Sequence, residues 1–167
     1  DSTDLMVDLD LDPRRKGLMW FALYDVDFSG SWTYTHDSHA GTLRFRFDFP
    51  VSEGSYDDFR LLVDGEDVLD EVVPSHGHVE VRVPVKPGQE VHFEVGYRSR
   101  GLGEWTYQPS QGVGQLSDFH LHVHTDFGEI DYPSFTMSPS SRARDGRGWT
   151  LDWDFESLVT GHGMGMV

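Results

Sequence analysis

The sequence of 167 residues contains no cysteine, no asparagine and only two lysines, Lys16 and Lys86. The absence of cysteine excludes disulfide scaffolds, thiolate zinc sites, cysteine nucleophiles and cysteine-ligated iron–sulfur clusters. No apolar run approaches the roughly 20 residues that a helix needs to cross a bilayer. The first residues also lack the basic, apolar and small-residue regions of a secretory signal peptide. We therefore expect a soluble domain.

Basic residues are scarce, since 13 Lys and Arg stand against 29 Asp and Glu and give a formal charge of −16. Because an acidic surface repels phosphates, and because the arginines do not form one block, we expect no nucleic-acid partner. Salt would screen the self-repulsion of the carboxylates, so the composition also fits a salt-adapted source. Hydrophobic residues make up 37% of the chain, which is enough for one core. We predict a single domain over residues 1–167.

Helical periodicity is almost absent, and apolar and polar residues alternate instead. In Thr42–Phe49, leucine and phenylalanine alternate with arginine and aspartate, which predicts a strand with one buried face. Similar patterns predict strands over Trp20–Phe28, Ser31–Thr35, Phe59–Val63, Val79–Val83, Val91–Tyr97, Phe119–Thr125, Ile130–Tyr132 and Trp149–Phe155. Since parallel sheets need helical crossovers that this sequence lacks, we predict an all-β fold, a two-sheet antiparallel β-sandwich of about nine or ten strands. A closed barrel is the alternative.

Two turn sequences predict hairpins. Asp64-Gly65 follows the strand that ends at Val63, and Lys86-Pro87-Gly88 lies between Val79–Val83 and Val91–Tyr97. We expect each turn to join the two strands that flank it.

Three histidines and an aspartate alternate along one predicted strand: His120, His122, His124 and Asp126. Same-face neighbours in a strand lie about 6.5 to 7 Å apart, a spacing at which imidazoles can converge on Zn²⁺ or Cu²⁺. The alternative is a solvated strand face that uses histidine. The sequence therefore predicts a candidate zinc or copper site and requires no other cofactor.

A second segment, Asp25–Gly30, matches the first six positions of an EF-hand calcium loop, in which oxygen ligands alternate before a glycine turn. The twelfth position is His36, where the calcium loop has a bidentate glutamate. The alternative interpretation is a strand that ends in a Ser-Gly turn.

The glycine-rich stretch Ser99–Gly114 is predicted to be a mobile loop that exposes Trp105 and Tyr107. Both rings would share one strand face, as in the stacking platforms of carbohydrate-binding modules. The alternative is that they belong to the core, as most aromatic side chains of a sandwich do.

The stretch Ser138–Gly148 is predicted to be a second mobile loop. It concentrates Arg142, Arg144 and Arg147 on an otherwise acidic protein, so it is a candidate site for an anionic group or partner. The alternative is that these arginines only relieve local repulsion.

Catalytic motifs are lacking: the sequence has no Gly-x-Ser-x-Gly elbow, no His-Glu-x-x-His pair and no glycine-rich phosphate loop. Carboxylates are too numerous for any pair to stand out as an acid and a base. We predict a binding or interaction domain and not an enzyme.

Gly30-Ser31-Trp32 and Thr125-Asp126-Phe127 resemble the Gly-x-Trp and Thr-Asp-Tyr motifs of lipocalins. This resemblance implies a barrel around an apolar cavity, and hence lipid binding.

A broader resemblance runs through most of the chain. Its segments are Arg14–Trp20, Tyr24–Tyr34, Tyr56–Phe59, Val63–Gly65, Tyr97–Leu102 with Trp105, Thr125–Pro139 and Gly148–Val159. Together they resemble the extracytoplasmic β-domain of polytopic bacterial inner-membrane proteins, including the CreD family. The late segments carry most of the likeness: an alternating strand, a phenylalanine-rich turn with proline, and Gly-Trp followed by a second tryptophan.

The CreD-like resemblance implies a domain tethered between membrane spans that are missing from this chain. It would lie on the periplasmic or extracellular side of a bacterial inner membrane and bind a protein or another envelope ligand. We expect the apolar stretch 161–167 to be a flexible tail where such a segment was excised. Three functions stay open at this stage: this interaction domain, a divalent-metal-binding domain, and a carbohydrate- or lipid-binding domain.

Overall fold

The computed structural model describes residues 1–21, 23–110 and 112–167. Within these residues the chain forms fifteen strands and one short 3₁₀ helix, Leu69–Glu71, so the all-β prediction is confirmed. The strands are β1 (Ser2–Leu11), β2 (Arg14–Lys16), β3 (Met19–Phe21), β4 (Leu23–Thr35), β5 (Gly41–Asp48), β6 (Tyr56–Val63), β7 (Glu66–Asp67), β8 (His78–Val85), β9 (Glu90–Leu102), β10 (Trp105–Tyr107), β11 (Gly114–Thr125), β12 (Thr136–Met137), β13 (Ser141–Asp145), β14 (Gly148–Thr160) and β15 (Gly163–Met166). None of the described residues forms a helix with the length and apolarity needed to cross a bilayer.

Eight strands form one large sheet in the order β13-β14-β11-β1-β4-β9-β6-β7. Its pairs are antiparallel except for β1 and β11, which run parallel, so the sheet is mixed and not purely antiparallel. The connection between the parallel strands β1 and β11 consists of the strands β2 to β10, whereas we expected such a crossover to need a helix. The described strands leave β13 and β7 as two free edges, so the closed barrel and the lipocalin fold are both wrong.

A second layer covers one face of the large sheet. It consists of the β5–β8 pair and a three-stranded sheet in the order β10-β15-β12. Aromatic rings join the layers: Phe45 stacks on Phe93 with centroids 4.4 Å apart, and Phe47 contacts Phe28 at 5.6 Å. The three-stranded sheet adds Trp105, Met164 and Met166 to the same core. The structure is therefore a sandwich with one sheet much larger than its cover.

The two predicted hairpins have different outcomes. Asp64 and Gly65 both have positive φ and join β6 to β7, as predicted. Lys86-Pro87-Gly88 also forms a turn, but β8 pairs with β5 while β9 pairs with β4 and β6. The predicted pairing of β8 with β9 is wrong because alternation shows that a strand has a buried face, but not which strand lies beside it.

β4 is one continuous strand where we predicted two strands separated at Ser29-Gly30. A Cβ at Gly30 would lie 2.6 Å from Cη2 of Trp32 and 2.8 Å from Cδ2 of Leu5, so this glycine makes room for packing and not for a turn. The calcium-loop interpretation of Asp25–Gly30 is wrong, since an extended strand cannot wrap its oxygens around one cation.

The central strand β1 was not among the predicted strands, although it alternates clearly. Leu5, Val7 and Leu9 are buried, and aspartates point the other way. Conversely, Ile130–Tyr132 is not a strand, although Asp131 exchanges two backbone hydrogen bonds with Val167.

Glycine-rich segments that we predicted to be mobile contain strands. Ser138–Gly148 includes β13, Ser99–Gly114 includes β10, and the predicted tail 161–167 includes β15. β15 lies between β10 and β12, and all four of its residues are buried. A Cβ at Gly165 would overlap the Trp105 carbonyl oxygen, so this glycine permits a close approach of two backbones.

Candidate functional site

The face of the large sheet that points away from the core is mostly polar in the described residues, with Met6 of β1 as an exposed apolar side chain on it. β11 shows the division: Leu121 and Val123 are buried, while the histidines that alternate with them, at positions 120, 122 and 124, point outward. Strand register places carboxylates beside these histidines. On β1, Asp4 and Asp8 lie opposite His120 and His124, and on β14, Asp154 and Asp152 lie opposite His120 and His122.

Each histidine of β11 has a carboxylate partner on a neighbouring strand. Nδ1 of His120 lies 2.8 Å from Oδ1 of Asp154, and Nδ1 of His122 lies 2.7 Å from Oδ1 of Asp152. His124 approaches Asp8 at 3.3 Å and Asp145 at 3.5 Å. The hydrogen bond with Asp154 raises the pKa of His120. The protonated form of the His120 imidazole is therefore favoured beside Asp154.

The four predicted metal ligands do not converge in the described residues. Asp126 accepts a hydrogen bond from the Leu11 amide at 2.7 Å, away from the histidine–carboxylate pairs. No group of three or more histidine, aspartate or glutamate side chains among these residues is arranged to hold a metal ion. Zinc or copper binding at His120, His122, His124 and Asp126 stays a prediction from spacing alone.

The same polar face continues over β4 and β9 into a basin of about 650 Å³. Arg100 donates to Asp25 at 2.8 Å, and Arg98 donates to Asp27 at 3.3 Å. The two aspartates that suggested a calcium loop therefore pair with arginines on the adjacent strand. Four aspartates and two arginines line this basin, so it carries an excess of negative charge even though Asp25 and Asp27 are paired.

Trp105 and Tyr107 do not form an exposed platform. Trp105 is 3% exposed, because β10 pairs with β15 and turns this ring into the core. Tyr107 is half-buried, its ring packs against Phe119 with centroids 6.2 Å apart, and burial raises its pKa to about 12. The expectation that Trp105 is exposed is wrong, and the alternative of core aromatics holds for it.

The arginines of Ser138–Gly148 are exposed, but two of them stack on one ring. The guanidinium carbons of Arg144 and Arg142 lie 4.1 and 5.2 Å from the centre of Trp149. Arg144 also donates to the Arg147 carbonyl at 3.3 Å. The cluster therefore stabilises the β13–β14 hairpin, and anion binding by Arg142, Arg144 and Arg147 stays a prediction.

An apolar groove of about 390 Å³ opens at one end of the sandwich. Its lining includes Leu11, Tyr24, Phe127, Met166 and Val167. Burial raises the pKa of Tyr24 to about 12. The sequence did not predict this groove, because its lining comes from separate strands and the loop after β11. The available signal was the alternation of β1, which ends at Leu11.

Beside this groove, β2 and β3 form a hairpin that pairs with no other strand in the described sheets. We call Arg14–Trp20 the hairpin tip. All seven of its residues are exposed, including Leu18, Met19 and Trp20. The tip therefore combines three consecutive cations with three uncovered apolar side chains.

No protein-family model and no curated protein matches the chain. Among solved structures, 35 chains match. One is the crystal structure of a "putative nutrient binding protein" from Legionella pneumophila subsp. pneumophila, with a TM-score of 0.52 and 10% sequence identity over 98% of this chain. The chain spans 66% of that protein, just under two thirds of its length. At this identity, the likeness shows that the two proteins share a β-rich fold.

Proposed function

We propose that this chain is a non-enzymatic binding domain on the extracytoplasmic side of a bacterial inner membrane, within a longer protein that supplies the membrane spans. Two observations support this. The sequence resembles CreD-like extracytoplasmic domains, and the fold resembles a protein described as binding a nutrient. The ligand of that protein is not carried over to this chain.

The observation that carries the binding function is the apolar groove at the end of the sandwich. Apolar side chains dominate its lining, and Glu129 is the one charged residue among the residues that line it. A concave, mostly apolar site of a few hundred Å³ is typical of small-molecule binding. We infer that the groove takes an uncharged apolar molecule or an acyl chain, since Glu129 would repel an anionic group.

Binding in the groove is tested with Nile red, an uncharged apolar dye whose emission rises in apolar surroundings. Leu11→Trp adds bulk at the groove, and Val159→Trp places the same side chain at an exposed position of β14 that does not line the groove. We expect Leu11→Trp to weaken dye binding by about tenfold, a loss worth about 1.4 kcal/mol, and Val159→Trp to leave it unchanged. Equal binding by both variants would refute the groove as the site.

The proposed location is tested in cells that express the full-length parent protein. Because the domain has no cysteine, Val73→Cys gives it one reactive thiol at an exposed position, and labelling is compared with the parent protein that lacks this substitution. We expect a membrane-impermeant maleimide to label this thiol once the outer membrane is opened and the inner membrane is intact. Labelling that requires rupture of the inner membrane would contradict the extracytoplasmic location.

A further inference from the structure

The β2–β3 hairpin extends the ladder of β1 and β4 beyond the end of the large sheet. Leu11 pairs with Tyr24, and Arg14 pairs with Phe21 in the same register. The Asp12 amide donates to the Leu23 carbonyl at 2.8 Å and connects the two parts. β11 pairs with β1 only as far as Leu9, so the hairpin passes the end of this neighbour.

The hairpin tip is apolar on surfaces that the rest of the described structure does not cover. Leu18 is 91% exposed, Met19 63% and Trp20 68%. Successive residues of a strand point to opposite faces, so exposure of both Met19 and Trp20 means that neither face of the hairpin is covered. Three large apolar side chains left in water at one end of a hairpin mark an interaction site more often than scattered single residues do.

The tip is also cationic, in a chain whose net charge is −16. Arg14 pairs with Asp12 at 2.8 Å, while the Arg15 guanidinium lies 6.0 Å from the centre of the Trp20 ring. Arg15 donates to the Gly17 carbonyl, and no salt bridge to Lys16 or Arg15 is formed among the described residues. These two cations therefore keep their charge available at the apolar end of the hairpin.

We propose that the hairpin tip docks onto an anionic phospholipid surface. Trp20, Leu18 and Met19 enter the region between the headgroups and the acyl chains, where amphipathic tryptophan is favoured. Arg15 and Lys16 stay at the level of the lipid phosphates. The acidic remainder of the protein opposes this approach only weakly, because ions screen charges beyond about 8 Å at physiological salt.

The shape of the tip favours a bilayer over a folded protein partner. A two-stranded projection exposed on both faces offers no concave or broad flat surface for a protein to cover, but it fits between lipid headgroups. This inference depends on the proposed location in one respect only, namely which membrane the hairpin tip binds. Vesicle binding tests the hairpin itself, so its failure is distinct from failure of the groove or of the location.

The first experiment is flotation of the 167-residue chain with phosphatidylcholine vesicles that contain or lack phosphatidylglycerol. We expect binding to the anionic vesicles and its loss at high salt. The pair Arg15→Gln and Lys16→Gln should weaken binding by about thirtyfold. The matched pair Arg44→Gln and Arg82→Gln, exposed residues of the second layer, removes the same charge and should leave binding unchanged.

The second experiment tests the apolar contact. Leu18→Asp should abolish vesicle binding, and Val159→Asp, which places the same charge at another exposed apolar position, should not. Trp20 should be quenched by brominated lipids. Trp20→Phe should remove much of this quenching while flotation persists, because phenylalanine keeps the apolar contact.

Three outcomes would overturn the proposal. Absence of flotation with anionic vesicles at low salt would do so, as would equal loss of binding in the hairpin variants and their matched controls. Self-association in solution that Leu18→Asp abolishes, without vesicle binding by the wild type, would instead identify a second copy of the chain as the partner.

Discussion

Two hairpins of this protein place an arginine directly opposite a tryptophan, and only one of them is integrated into the large sheet. Arg15 faces Trp20 across β2 and β3, and Arg144 faces Trp149 across β13 and β14. Trp149 is half-buried, and its indole Nε1 donates to the Gly128 carbonyl at 3.0 Å, whereas Trp20 is largely exposed.

The difference lies in the neighbours of each hairpin. β14 continues alongside β11, so Trp149 packs between its stacked arginines and the body of the protein. β2 and β3 pair only with each other among the described strands. The same arginine–tryptophan pair therefore packs against the fold in one hairpin, whereas in the other hairpin it stays exposed and free to contact a partner.

The largest expected difference between the two hairpins comes from replacing the tryptophan of each with alanine. Trp149→Ala should lower the free energy of unfolding by about 3 kcal/mol, since it removes a packed ring, a hydrogen bond and two arginine stacks. Trp20→Ala should change it by less than about 0.5 kcal/mol, as expected for an exposed position. Chemical denaturation of both variants measures the difference. Equal destabilisation would show that the hairpin tip also packs on the fold.

A glycine near the turn of each hairpin gives a second contrast. A Cβ at Gly148 would overlap the Thr125 carbonyl oxygen, so Gly148→Ala should cost about 2 kcal/mol or more. Gly17 has φ of +64° with open space around it, so Gly17→Ala meets backbone strain alone.

The hairpin that contains Gly17 can open locally while the sheet stays folded, which limits the global cost of Gly17→Ala to about 1 kcal/mol. Denaturation midpoints measure both variants. A larger loss for Gly17→Ala than for Gly148→Ala would contradict the view that β2–β3 is peripheral.

The sequence predicted which side chains of a strand are buried more accurately than it predicted the position of that strand in the sheet. Alternation identified the buried faces of β5, β9, β11 and β14, because a residue and its second neighbour share a face whatever the sheet order. It gave no information on pairing, so β8 was joined to the wrong strand. The stretches 138–148 and 161–167 were predicted to be mobile, although Gly148 and Gly165 permit close backbone contacts that only the tertiary structure shows.

For the candidate sites too, the sequence predicted which side chains share a face but not which strands lie beside them. The outward face of His120, His122 and His124 was predicted from spacing, but their carboxylate partners come from β1, β14 and β13 and depend on sheet order. The lining of the groove is assembled from distant segments, and the alternation of β1 reaches only one of its residues, Leu11.

A smaller effect is expected from the arginine members of the two pairs. Arg144→Ala should lower the free energy of unfolding by about 0.5 to 1 kcal/mol, through loss of its stack on Trp149. Arg15→Ala should have no measurable effect on unfolding, because its ring contact is longer and solvated. A double-mutant cycle of Arg144→Ala with Trp149→Ala isolates the stack. A coupling energy near zero would show that the two side chains are merely adjacent.

The smallest effect concerns pH, and it also separates the integrated hairpin from the free one. β14 supplies Asp154 to His120, and Asp118 and Asp4 also face this imidazole, whereas the hairpin tip contains no titrating histidine. The raised pKa of His120 means that its contribution to stability is fully present below its ordinary value of 6.5. That contribution is lost as the pH rises through the higher pKa of the folded state. Because His120 is about half exposed, the effect should be small.

We expect His120→Gln to melt at a lower temperature than the wild type at pH 6 and to converge with it at pH 8.5, while Trp20→Phe follows the wild type at both. A constant offset of His120→Gln across this range would mean that the imidazole contributes by packing, because a protonation-dependent bond to Asp154 must fade as the proton is lost.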